Sequence, residues 1–119
     1  MSKVIQDWEG VEQPVDAHPV PRDGEKDLRV TGILFASAST GPLDSYGGPE
    51  RWKERNVYLS ESGKVVYQEA GCSSYDGERT RSTVHIFENF NELGEHLGYD
   101  PLEKEIREKI GIESYEDIK

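Results

Sequence analysis

The 119-residue chain carries 24 acidic and 14 basic side chains, a formal net charge of −10, and its length suits one domain whose core needs no staples. That charge argues against sequence-independent binding to duplex DNA, where affinity comes from neutralising phosphates. The single cysteine excludes an internal disulfide and fits a reducing compartment.

The start, Met-Ser-Lys-Val-Ile-Gln-Asp-Trp, lacks the apolar core of a signal peptide, and no later run is long enough to span a bilayer. The expectation is a cytoplasmic protein with no membrane contact. Residues 1–27 sum to −4, residues 28–87 to 0 and residues 88–119 to −6. A neutral centre is thus flanked by two acidic ends, a distribution that favours basic protein partners or serves solubility alone.

Residues 1–27 read as an acidic arm, because Pro14, Pro19, Pro21 and Gly24 interrupt any period. Val4, Ile5, Trp8 and Val11 fit one short amphipathic turn docked on the domain. Trp8 is either the packing anchor of the arm or an aromatic that inserts into a partner.

Residues 28–37 read as a strand. Leu28, Val30, Leu34 and Ala36 share one face, with Gly32 a gap in the row, and Thr31, Ile33 and Phe35 share the other. Apolar residues on both faces place it inside a sheet, covered on both sides. Residues 39–50 form a long loop whose glycines fit neither dinucleotide-binding nor P-loop spacing. They read as turn formers, and Tyr46 is a possible contact aromatic.

Residues 51–88 read as a three-stranded meander, rich in β-branched and aromatic residues. Ser62-Gly63 separates the first two strands and Asp76-Gly77 the second and third. With two-residue turns at both places, Leu59 lies opposite Val66, and Cys72 lies opposite Arg81. Arg51, Lys53, Arg55, Arg79 and Arg81 then share one face around Cys72, and their charge lowers the thiol pKa. A three-residue loop at either turn flips the parity of one strand and scatters this cluster.

Beyond Phe87 the apolar period changes to that of a helix. Asn89 caps a helix with Glu92 as reciprocal partner, Phe90, Leu93 and Leu97 form its stripe, and Gly98 suits a left-handed end. Asp100, Pro101 and Glu103 open a second helix, Leu102, Ile106 and Ile110 form its stripe, and Gly111 stops it. Glu105 with Lys109, and Glu103 with Arg107, are pairs one helical turn apart. Ser114 starts a last turn that buries Tyr115 or Ile118.

Catalytic motifs fail. In this register Cys72 and His85 are about 14 Å apart, too far for a nucleophile and its base. Three histidines and one cysteine lack metal-ligand spacing, and Asp76-Gly77-Glu78 is too short for a calcium loop. No catalytic residue, metal ligand or cofactor is nominated, and the chain reads as a non-enzyme.

The expected fold is α+β. A four-stranded, mainly antiparallel sheet, made of the meander 51–88 plus the strand 28–37, carries two C-terminal helices on one face. The arm 1–27 leads into a single domain over 28–119. The expected function is that of a small acidic interaction protein, an inhibitor, immunity-type protein or DNA mimic, presenting Glu103, Glu108 and Glu113 to a basic protein surface. The alternative is a small-anion or nucleotide-binding module that uses Arg51, Lys53, Arg55, Arg79 and Arg81 around Cys72.

Overall fold

The computed structural model describes residues 3–40 and 51–119. Tyr46 and most of the expected loop lie outside the described residues. Along the chain run β1 (Val4–Gln6), β2 (Glu12–Pro14), β3 (Asp16–Val20), β4 (Leu28–Ser39), β5 (Arg51–Ser60), β6 (Val65–Ser73), β7 (Arg81–Phe87), α1 (Phe90–His96) and α2 (Pro101–Ile110). Strands β3 to β7 form one antiparallel sheet in chain order, and β1 and β2 form a separate hairpin. The class is α+β as expected, but the main sheet has five strands rather than four.

The extra strand comes from the segment read as an arm. Pro19 is tolerated because β3 lies at the sheet edge, where a missing N–H costs no ladder bond. Val20 is fully buried, and the His18 ring packs 5.6 Å from Tyr58. The amphipathic turn expected at Val4–Val11 is instead the β1–β2 hairpin. Trp8 sits in its turn, where its backbone N–H donates to Phe35 O and Lys109 Nζ lies 5.1 Å from the ring centroid. The ring stays 42% exposed.

Strand β4 is interior, paired with β3 and β5, but its two faces are not those of a regular strand. The register slips between Leu34 and Ala36, so Phe35 is an extra residue and Ala36 crosses to the other face. Ala36 and Ala38 thereby join Val57, Val65 and Tyr67 in the core beneath the helices, which supply Leu93, Leu97, Leu102 and Ile106. These small alanines leave room for α2 to approach β4.

The opposite face holds a smaller core of Val20, Val30 and Val66, with Leu28, Tyr58 and Val84 against it. The sheet curls until the segment after β3 meets β7. Asp23 N–H donates to Ser82 O, Ser82 N–H to the Asp23 carboxylate, and Ser82 Oγ to Pro21 O at 2.6 Å. Gln68 Nε2 donates to Ser82 Oγ and Asn56 Nδ2 to Gln68 Oε1, which carries the polar chain back across β6 to β5.

Both turns of the meander differ from two-residue geometry. Glu61-Ser62-Gly63 is a three-residue loop with Gly63 at φ +91°, closed by Ser60 N–H donating to Lys64 O. A turn ending in a left-handed glycine adds one residue over the two-residue hairpin. Leu59 therefore pairs with Val65, and Gly71 rather than Cys72 pairs with Arg81.

Helix α2 begins and ends where its sequence says. Asp100 accepts from Glu103 N–H at 2.8 Å, Pro101 is the first helical residue, and Gly111 is left-handed at φ +83°. Helix α1 is capped by Asn89, but Glu92 reaches back to Glu88 N–H. Its far end departs from expectation, because Leu97 leaves the helix in extended geometry and Gly98 is not left-handed. Arg107, 5% exposed, crosses from α2 and donates to the carbonyl oxygens of Gly94, Leu97 and Gly98. Arg107 is thus the cap of α1. Its expected pairing with Glu103 is replaced, since Glu103 accepts from Gly98 N–H at 2.7 Å. The expected Glu105–Lys109 pair is formed at 2.8 Å. No helical turn starts at Ser114; Tyr115 and Ile118 are 87% and 85% exposed, and Ile112 packs against Gly94 instead.

Candidate functional site

The two loop shifts act together on the expected cation face. Each moves its pairing by one residue, so β6 flips relative to both neighbours while β5 and β7 keep their relation. Arg51, Lys53 and Arg55 on β5 still share a face with Arg81 on β7, but across the ladder they now pair with Ser73, Gly71 and Glu69, and Cys72 lies on the other face.

Around the open end of the meander lies a cleft of about 590 Å³, lined by Arg51, Lys53, Arg79 and Arg81 together with Trp52, Cys72 and Glu78. Glu78 is the sole acid among the described lining residues and is bound to Arg51, which donates to it through Nε at 2.9 Å and Nη2 at 2.6 Å. That bond and its charge hold the Glu78 carboxyl below its ordinary pKa and raise that of Arg51. Arg51 also lies 4.5 Å over the Tyr75 ring. Lys53, Arg79 and Arg81 make no ion pair among the described residues. The described residues lining the cleft therefore carry a net positive charge, on a protein that is negative as a whole.

Two members of the expected cluster do not belong to it. Arg55 is half-buried, donates to Glu54 O, and acts on Tyr67 and Asp100 toward the helices rather than on the cleft. Cys72 borders the cleft, but it shares the other face of the sheet with Glu54, whose charge acts on the thiol. Burial, and then the Glu54 carboxylate, push its pKa up. This overturns the expected lowering: burial and the charge of an acid, rather than a ring of cations, act on the thiol, so the thiolate is disfavoured.

The expected acidic face is divided. Glu103 turns inward; burial pushes its carboxyl pKa up, and the neighbouring Asp100 and Glu69 charges add to that, against the opposing hydrogen bond from Gly98. Glu108 and Glu113 are exposed and border a groove of about 660 Å³ with Lys104, Glu105 and Tyr115.

A third group was not nominated from the sequence. Glu69 on β6, His85 on β7 and His96 at the end of α1 bring a carboxylate oxygen and two imidazole nitrogens within 4.8 Å of one another. His96 Nε2 lies 3.6 Å from Glu69 Oε1, and the two imidazole rings are 4.4 Å apart. Glu69 and His85 share a face only in the true register; two-residue turns put them on opposite faces. The chain matches no protein-family model, no curated protein and no solved structure, so any functional assignment rests on these residues alone.

Proposed function

We propose that the protein is a small binding module for a phosphate-bearing ligand, held in the cleft between β5, β7 and the connection that precedes β7. One observation carries this reading. Four cationic residues meet at one cleft, and the acid among them is bound to Arg51, leaving Lys53, Arg79 and Arg81 for a ligand. Guanidinium groups suit phosphate because their planar forks offer paired donors.

Inorganic phosphate or a nucleoside monophosphate is expected to raise the melting temperature. At ten times its dissociation constant a ligand stabilises by about 1.4 kcal/mol, which amounts to several degrees in a chain of this size. Arg81→Glu, on the exposed side of β7, is expected to abolish the rise without changing the unliganded melting temperature by more than a degree or so. A rise that survives Arg81→Glu counts against the cleft.

A second reading, an acidic surface that docks on a basic protein, draws support from the C-terminal groove. There exposed Glu108 and Glu113 adjoin Tyr115, and Ile118 is also exposed nearby in the chain. This reading expects capture of a basic protein at low salt, loss of that protein at high salt, and weaker capture by Glu108→Lys. Capture that is indifferent to salt would rule it out.

A further inference from the structure

We infer that Glu69, His85 and His96 form a binding site for a divalent transition-metal ion such as zinc, separate from the cleft and independent of the phosphate reading. Two imidazoles and one carboxylate are a ligand set that zinc accepts, with a fourth position left for an exogenous ligand.

The positions follow from the fold. Tyr67 pairs with His85 and Glu69 with Thr83, so Glu69 and His85 are diagonal neighbours on the face that carries the helices. Helix α1 lies over β6 and β7 and ends at His96. The end of this helix is fixed by Arg107, whose guanidinium binds the Gly94, Leu97 and Gly98 carbonyls on either side of His96. Each ligand thus stands on an ordered element rather than a loop.

The distances suit a metal. Ligand atoms around a tetrahedral zinc ion lie about 3.4 Å apart, given bonds of about 2.1 Å. Glu69 and His96 are already at 3.6 Å. All three ligand atoms lie within 4.8 Å of one another, a gap that side-chain rotation can close, since none of the three is fully buried.

The surroundings suit a cation. Asp100 and Glu103 lie close enough to Glu69 that the charges of the three bear on the same neighbours. The Tyr67 hydroxyl is fully buried, has no hydrogen-bond partner among the described residues, and feels the same three carboxylates. Arg55 is the opposing charge, and its Nε is also buried without a partner among the described residues. Phe87 packs 5.3 Å from the His96 ring, so an aromatic side chain borders the cluster.

The test is calorimetric titration of chelator-treated protein with zinc chloride, alongside NMR of the imidazole resonances. Saturable uptake of one zinc ion is expected, with the His85 and His96 resonances moving and that of His18 unchanged. His85→Asn, His96→Asn and Glu69→Gln are each expected to weaken uptake by at least about tenfold. His18→Asn and Cys72→Ser remove the other potential soft ligands and are expected to leave it unchanged. No saturable uptake at micromolar zinc, undiminished uptake by the His85 and His96 variants, or unmoved His85 and His96 resonances in the native chain would each overturn the site. The trio would then be a His96–Glu69 contact within an aromatic cluster. The NMR readout keeps the test decisive if a variant fails to fold.

Discussion

Gly32→Ala is expected to destabilise the protein by about 3 kcal/mol or more. Gly32 lies in the middle of the sheet, paired with Asp16 on β3 and Ser60 on β5. A Cβ at this position would fall 2.0 Å from Leu59 O, 2.7 Å from Ser60 Cα and 2.9 Å from Leu59 C. All three are backbone atoms of the neighbouring strand, so no side-chain rotation relieves the clash. The β4–β5 ladder must open or β4 must shift, and either movement also disturbs the bond from His18 Nε2–H to Gly32 O. Equilibrium denaturation by urea measures the effect as a shift in midpoint. Thr31→Ala, at the exposed neighbouring position, is expected to stay within about 0.5 kcal/mol. A Gly32→Ala midpoint equally close to that of the native chain would mean that β4 and β5 do not approach this tightly.

In the sequence Gly32 shows only as a gap in an apolar row. Nothing local says that another strand's backbone fills the gap, because the contact is between residues 27 or more positions apart. The same limit governs the rest of the fold. Asp100, Pro101 and Gly111 mark the ends of α2 because capping is decided within three or four residues. The strands of the meander are legible from their β-branched and aromatic runs. Their register is not, because Ser62-Gly63 fits both a two-residue turn and a three-residue loop ending in a left-handed glycine.

One-residue shifts at the two turns decided which sites could be seen. Together they set Cys72 among arginines, whereas it shares a face with Glu54, and the shift between β6 and β7 parted Glu69 from His85, whereas they are neighbours. The relation of Arg51 and Lys53 to Arg81 survived because the two shifts cancel between β5 and β7. Strand β3 was hidden for another reason. Pro19 and Pro21 look like breakers until the strand is known to lie at an edge.

Arg107→Ala is expected to cost about 3–5 kcal/mol, because it strands buried acceptors as well as removing a buried charge. In the sequence Arg107 looks like a surface residue one turn after Glu103 on an acidic helix. In the fold it is 5% exposed. Its Nε and Nη2 donate to Gly98 O and Gly94 O at 2.9 Å, with a further bond to Leu97 O. Its guanidinium carbon stands 4.3 Å over the Tyr99 ring. Helix α1 has no left-handed glycine at its end, so these bonds do the work that a glycine cap does at α2. Alanine would leave the three carbonyl oxygens facing a dry interface. Lysine keeps the charge but offers a point donor rather than a fork, so Arg107→Lys is expected to recover part of the loss. Amide exchange should rise first at residues 94–98 in the lysine variant, and later or less at α2, whose own caps remain. Because those carbonyls flank His96, the same variant is expected to weaken zinc uptake while the sheet stays intact. If exchange at 94–98 and zinc affinity both match the native chain, Arg107 does not hold the end of α1, and the position of His96 is set by its contacts with Glu69, His85 and Phe87.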